Sequence, residues 1–587
     1  MSVRAGELRP SQAVTQSGPG SLVDLPTLSM VMAGIDDWNQ STARRVDEPR
    51  LAARLRVDTF REPPYFRSAD GAGGLPARIF PRFLVCPRCN RLAPHDHFEF
   101  DPAGLRYFCK APDCSGAGKA VAYPSRYMVA CARGHLSDFP WHAYCHPPEI
   151  VCSDDLRLED TGRTGAITDI WVKCERHGVS KNLGQAFGAA GRKRLPRCTA
   201  ERPWFEDVDP AGCGEQPRVL LRGASNAYFP VIESAISIPP WSDPIQIGLA
   251  GYFDQLAKVD SMTKLQAWLD LVNAPELEQF SAQQLWDAIS RRRSGDQAGP
   301  SLKEEEWRAF QTTSLKIDPR SEFKARVGPI PAEVTSWVQR VLLVERLREV
   351  RALRGFTRID PVPDIGDLDD VEAVRAGLAP IRRVVTAWLP GVEFRGEGIL
   401  LQLQEDKLRS WEDLPGTKQL QETLQRADRA WHAKRGLQVH VERTPRFVLL
   451  HTLSHLVIRQ LALECGYSSA SLRERIYSTQ PGSAPMAGIL IYTATPDAEG
   501  SLGGLVDQGR PESLGPLIDR AILDAALCAN DPLCADRLLG EGGHINGAAC
   551  HACLLVSETS CESGNHYLDR GALVPTVSET SYAFFPG

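Results

Sequence analysis

The sequence predicts an α+β, multidomain protein: an N-terminal zinc-ribbon-like module, a mainly helical middle and a C-terminal α+β zinc-binding domain. Three observations carry this. The chain has 587 residues, too many for one hydrophobic core and enough for three or four domains. Its sixteen cysteines are segregated, with ten between residues 75 and 230, five between Cys528 and Cys561, and none from residue 214 to 464. Helical periodicity appears where cysteine vanishes. These shifts divide the chain into 1–74, a cysteine-rich module 75–240, a helical stretch 241–435 and a C-terminal unit 436–587.

Composition is that of an ordinary folded protein, 43% hydrophobic and 24% charged, and the net charge of -6 excludes a global basic field for nucleic acid. The first residues, Met1 to Glu7, lack a charged-then-apolar signal pattern, and no apolar run is long enough to span a bilayer. A cytoplasmic chain without membrane contact is expected. In that compartment cysteines serve as zinc ligands more often than as disulfides. Residues 1–74 carry no recognisable chemistry, although Leu28 to Ile35 is strand-like.

In the cysteine-rich module, Cys86-x2-Cys89 and Cys109-x4-Cys114 form two knuckles about twenty residues apart, a zinc-ribbon spacing. These four thiols are expected to hold one structural ion. Cys174-x2-His177 is a weaker pair, expected to close with Cys198 and Cys213. Cys131-x3-His135 is weaker still, and Cys145, His146 and Cys152 are spare candidates, each equally well read as buried and inert.

In the middle stretch, Leu265, Trp268, Leu269 and Val272 follow i, i+3, i+4, i+7, and Val334, Trp337, Val338, Val341 and Leu342 do likewise, leading into Arg346 to Arg351. Both read as helices. Arg291-Arg292-Arg293 ends one helix. These arginines complement the negative helix terminus or, with Arg192-Lys193-Arg194, offer local phosphate contacts to DNA.

The C-terminal unit opens with a strongly apolar helix, Phe447 to Leu463, followed by a β-prone run from Gly488 to Ala494. Its cysteines read C-x5-C-x15-C-x2-C-x7-C from Cys528 to Cys561. The tight pair Cys550 and Cys553 puts two thiolates on one ion. Cys561 with either Cys534 or Cys528 can complete a tetrahedron, and Cys534, nearer and after the turn-prone Asn530-Asp531-Pro532, is preferred. Two to three structural zinc ions are expected in all.

Catalytic motifs are weak. His451 and His455 share one helix face, but position 452 is Thr where a metalloprotease helix places its general-base Glu. They read as core histidines or, with acids such as Asp497 or Glu499, as a metal-dependent nuclease site. Gly116 to Ala120 and Gly500 to Leu505 both fail as phosphate-cradling loops, having no Lys followed by Ser or Thr. Closed zinc sites without a nucleophile–base pair point to a scaffold. A zinc-ribbon transcription or repair factor is a further reading.

Combined motifs add a resemblance. Leu450-His451-Thr452-Leu453-Ser454-His455, Glu499-Gly500-Ser501-Leu502-Gly503-Gly504 and Cys550 through Glu562 resemble the cysteine-bearing domain often coupled to superfamily 2 helicases. With Gln16 to Asp24, Cys131 to Asp138, Arg222 to Asn226 and Leu347 to Leu353, nearly the full length resembles the DrmB family, core subunits of the bacterial anti-phage system DISARM. The resemblance implies a partner, a DrmA-like helicase ATPase that supplies the nucleotide site missing here, a heterodimer with it, and DNA engaged through the complex. It implies no catalytic residue.

Overall fold

The computed structural model describes residues 6–40, 43–64, 74–114, 119–162, 166–293, 301–312, 320–361, 378–435, 443–479, 484–493, 504–537, 539 and 544–585. The glycine-rich stretches 116–118 and 500–503, Asp497 and Glu499 lie outside these.

A mostly antiparallel sheet organises the chain. Its order is Phe229–Ile236, Val338–Thr357, Trp388–Leu403, Ala487–Thr493 and Leu472–Ser478, with Lys324–Gly328 also paired to Val338–Thr357. One parallel pairing sets Thr59–Arg61 beside Trp388–Pro390. This one sheet therefore draws on all four sequence divisions, crossing the boundaries expected at residues 74, 240 and 435.

The largest departure from the sequence reading is at Val338–Thr357. The run expected as helix is a strand of 20 residues. Packing gives the reason. Val341 and Leu343 face one side, with Ile399, Leu401, Ile489 and the helix Pro445–Cys465. Leu342 and Val344 face the other, with Leu400, Leu490, Tyr492 and Trp307 and Phe310 of the helix Leu302–Gln311. A strand buried on both faces needs no polar alternation, so an apolar run containing i, i+3, i+4 matches carries no information about period. Elsewhere the middle stretch has the helices Met262–Leu271, Ala282–Arg293 and Pro415–Arg435, but it also holds the strands Lys324–Gly328 and Trp388–Leu403, which a wholly helical reading misses.

At its far end the same sheet packs Val350, Leu353, Phe356 and Trp388 against Val14, Val31, Ile35, Trp38 and Leu51 of the N-terminal residues. Charge reinforces this contact. Arg348 donates to the Asp47 carbonyl at 3.0 Å and to Glu393 at 2.8 Å. Arg358, essentially buried, donates to the carbonyls of Gly134, Ala227 and Gly20. It thus ties the chain start to the cysteine-rich module.

That module contains a second, antiparallel eight-stranded sheet, from Val179–Asn182 at one edge to Phe98–Asp101 at the other, and a three-stranded sheet of Leu136–Asp138, Tyr127–Ala130 and Arg218–Leu221. Most of its cysteines and several of its histidines sit on the turns and ends of these short strands.

The helix Pro445–Cys465 positions the C-terminal site. The Thr444 hydroxyl accepts from the Phe447 amide at 3.3 Å, Pro445 occupies the first turn, and Gly466 closes the helix at φ 74°. Almost every residue from Pro445 to Leu461 is buried. The central sheet covers one face and the C-terminal loops the other.

Candidate metal centres

Five groups of four Cys, His or Glu side chains converge among the described residues, their donor atoms within 4.8 Å of one another. The first joins Cys86, Cys89, Cys109 and Cys114, the set the knuckle spacing predicts. Cys86 and Cys89 lie in the turn between strands Phe83–Val85 and Arg91–Pro94, where Asn90 takes a positive φ of 59°. The turn closes with the Cys86 amide donating to the Arg91 carbonyl at 2.9 Å. Cys109 ends the strand Arg106–Cys109 and Cys114 ends the following 3-10 turn. The Sγ atoms of Cys86 and Cys114 lie 3.7 Å apart, and those of Cys89 and Cys109 3.8 Å.

The second group joins Cys131, His135, Cys198 and Cys213. Cys198 and Cys213 therefore do not close with Cys174 and His177, as sequence order suggests. They meet Cys131 and His135 because the strand Tyr127–Ala130 pairs with Arg218–Leu221, which carries the chain after Cys213 back to the hairpin after Cys131. That hairpin turns at Gly134, φ 84°, where a Cβ would lie 2.4 Å from the Ala379 Cβ. His135 presents Nδ1 to the Cys131 sulfur at 3.4 Å and Nε2 to Asp209 at 3.1 Å. A carboxylate behind an imidazole is the arrangement that fixes a ligating histidine's tautomer and orientation. The Cys198 thiol, donating to Cys131, pulls the Cys131 thiol down to about 4, aided by His135 against burial, and its own is pushed up.

Cys174 and His177 instead join His146 and Cys152, two of the spare candidates. The Cys174 sulfur lies 3.4 Å from His177 Nδ1 and 3.9 Å from Cys152 Sγ. His146 engages the His142 carbonyl through Nδ1 at 3.0 Å, and its buried Nε2 has no hydrogen-bond partner among the described residues. An imidazole nitrogen free in this way is a lone pair available to an ion. The third spare candidate, Cys145, stays outside every group. Its thiol donates to the Val172 carbonyl at 3.7 Å, and burial pushes it up to about 11.

The fourth group is Cys528, Cys534, Cys550 and Cys553. Cys528, not Cys561, completes the set. The helix Pro511–Ala525 delivers Cys528 to the site, and its amide donates to Asp531 at 2.9 Å. Buried Arg570 locks the same turn, donating to Asp531 at 2.7 Å and to the Ala525 carbonyl at 2.8 Å. Sulfur separations are 3.5 Å for Cys528–Cys550, 3.7 Å for Cys534–Cys553 and 3.8 Å for Cys550–Cys553. Burial would raise the Cys550 thiol, yet the Ala552 amide, the Cys528 thiol and Asn530 bring it down to about 6.

Cys561 lies in a fifth group with His451, His455 and Glu474. The nearby acid is Glu474, on a strand that sequence reasoning passed over because nothing local marks it.

The donor geometry tests which ion fits. Four thiolates about 2.3 Å from one tetrahedral zinc lie about 3.8 Å apart. The sulfur separations above, 3.5 to 3.9 Å, match that value and lie far beyond the about 2.05 Å of a disulfide. Soft thiolates with imidazoles in fours are the donor set of structural zinc.

The basic clusters separate. Arg292, only 5% exposed, pairs with Asp47 at 2.6 Å and lies over the Phe253 ring at 4.4 Å. Arg293 donates to the Leu256 and Val259 carbonyls. Both are committed within the chain, which corrects their reading as phosphate contacts. Arg192 is held by the Gln216 carbonyl at 2.8 Å, while Lys193 and Arg194 are exposed.

Two family models match this chain. A domain of unknown function (DUF8724) matches residues 9–229, which hold the first three groups, and the MrfA Zn-binding domain matches residues 453–554, which hold the fourth. The chain is also 33% identical over 582 residues, 95% of its length and 99% of the relative's, to the DISARM protein DrmB of Bacillus paralicheniformis.

Proposed function

The chain belongs to the DrmB family of DISARM proteins, and from that premise we propose that it is a zinc-stapled, non-enzymatic subunit of the anti-phage complex. In this reading it binds a superfamily 2 helicase-like ATPase as a heterodimer in the cytoplasm and supports that partner's engagement of phage DNA. One observation carries the non-enzymatic reading: each metal-suited group offers four protein donors, the number that closes a zinc site and leaves no position for water or substrate. The ligands proposed are Cys86, Cys89, Cys109 and Cys114; Cys131, His135, Cys198 and Cys213; His146, Cys152, Cys174 and His177; and Cys528, Cys534, Cys550 and Cys553. The nuclease alternative at His451 and His455 is disfavoured because both imidazoles are 0% exposed, and a catalytic metal must be reached by its substrate.

The partner surface is proposed at the C-terminal unit and the neighbouring helices. Leu523, Leu527 and Leu533, close in sequence to Cys528 and Cys534, are 64%, 72% and 82% exposed, and large apolar side chains left in water suit a permanent interface. No helix among the described residues is long and apolar enough to cross a membrane. DNA contact is assigned to Lys193 and Arg194. Co-expression with a DrmA-like helicase tests the scheme: the two should co-purify, the helicase should bind DNA more tightly with this chain than without it, and this chain alone should not hydrolyse ATP. Robust ATPase activity of the purified chain, or helicase binding to DNA indifferent to its presence, would overturn it.

A further inference from the structure

The fifth group falls at the edge of the matched zinc-binding domain, with His451 and Cys561 outside residues 453–554. Its chemistry differs from the other four. His451 and His455 are one turn apart on the helix Pro445–Cys465, Glu474 belongs to the strand Leu472–Ser478, and Cys561 lies in the C-terminal loops. The Nε2 of His451 lies 2.9 Å from Glu474 Oε1 and 3.1 Å from Cys561 Sγ, and the Nε2 of His455 lies 3.4 Å from the same carboxylate oxygen. The two histidines and Glu474 are fully buried, and Cys561 nearly so.

Three features mark these side chains as a converging donor set. First, the Nδ1 of His455 faces the Leu554 carbonyl at 3.0 Å. A carbonyl only accepts, so Nδ1 carries the proton and Nε2 of the neutral ring is a bare lone pair. That Nε2 has no hydrogen-bond partner among the described residues, yet it faces a carboxylate oxygen. Two lone pairs facing each other in a dry core repel unless a proton or a metal cation lies between them. Second, Glu474 has no Lys or Arg partner among the described residues. Besides the imidazoles, it accepts from the Ser454 hydroxyl and from the Glu562 amide at 3.1 Å. Third, the buried Cys561 sulfur accepts from the Ser563 amide at 3.4 Å and the Asn565 amide at 3.2 Å, which aim it at His451 Nε2, 3.1 Å away, as a fourth converging donor atom.

A divalent cation accounts for all three at once. With one carboxylate and one thiolate it gives a neutral centre, removing the cost of buried net charge. We propose that His451, His455, Glu474 and Cys561 bind a fifth zinc ion in a closed, structural site. Two imidazoles, one carboxylate and one thiolate in a tetrahedron suit zinc among the available divalent ions. The ion ties the central helix, the sheet and the C-terminal segment to one point. Glu562, next in the chain, extends the tie to Lys303 at 3.1 Å and Arg475 at 3.4 Å.

Zinc per chain, measured by mass spectrometry on full-length protein exchanged into chelator-treated buffer, tests this. The wild type should hold five ions. Cys561→Ser should hold four with its helical content kept, and Cys550→Ser should lose one independently. A wild-type ratio of four that Cys561→Ser leaves unchanged, while Cys550→Ser lowers it, would overturn the fifth site and leave the four-cysteine site intact. If Cys561→Ser does not fold, the isosteric Glu474→Gln replaces it and the wild-type ratio decides.

Discussion

The two metal-suited groups of the C-terminal unit are opposites. Cys528, Cys534, Cys550 and Cys553 offer sulfur alone, come from neighbouring loops, and three of the four are only partly buried. His451, His455, Glu474 and Cys561 mix three donor types, come from a helix, a strand and a loop, and reach across 110 positions to set Cys561 against His451. The first group sits on loops whose apolar side chains, among them Ile545, Leu554 and Leu568, pack against the core around the helix Pro445–Cys465. The second sits where a core already exists and must there neutralise charge. Ion binding in the first would cross-link loops at the rim of the core, and in the second would complete its interior.

The largest effect that would sharpen this contrast is at the loop staple. Cys553→Ser should cost more than about 4 kcal/mol, because the free energy of an ion bound by four loop cysteines is folding free energy. Loss of one zinc ion and early unfolding of residues 528–570 by hydrogen exchange would be seen. A variant with full protection there would break the comparison.

A smaller effect concerns a buried carboxylate neutralised by a guanidinium instead. Burial would raise the Glu349 carboxyl, but Arg351, 2.6 Å away, and nearby Arg473 and Arg475 hold it down to about 2. A folded-state value below the unfolded one contributes stability that is complete above about pH 4.5 and is lost as pH falls towards 2. Glu349→Gln should be less stable than the wild type by up to about 3 kcal/mol near pH 6, and the gap should close on acidification through that window. A gap independent of pH would show that this carboxylate is not held by its arginines.

The smallest effect belongs to the exposed cations. Lys193→Glu with Arg194→Glu should change stability by less than about 0.5 kcal/mol, as surface substitutions do. It should weaken DNA binding by the helicase complex more at low salt than at high salt. Unchanged DNA binding at every salt concentration would remove these residues from the interface.

Local spacing was a faithful guide only where chain and space coincide. Cys86, Cys89, Cys109 and Cys114 converge because their two knuckles stand on paired short strands, so the ligand set can be read from the motif. The sequence also carried the helix at Pro445–Cys465, whose capping residues and apolar length are local properties, and the separation of cysteine-rich from cysteine-free regions. It carried the family as well, through short motifs that are specific only in combination.

Tertiary structure alone decided the rest. Cys198 and Cys213 joined Cys131 and His135 through a strand pairing that no spacing announces. Cys528 displaced Cys561 because the helix Pro511–Ala525 delivers it to the site while the His451 face takes Cys561 away. Glu474 lacks any signature, since an acid between Arg473 and Arg475 looks like a solvated charge until the strand is seen to be buried. Val338–Thr357 is a strand because helices cover both its faces, and burial on both sides erases the alternation that would have revealed it. In each case the missing information is which distant surface lies opposite, a property of packing and not of any local window.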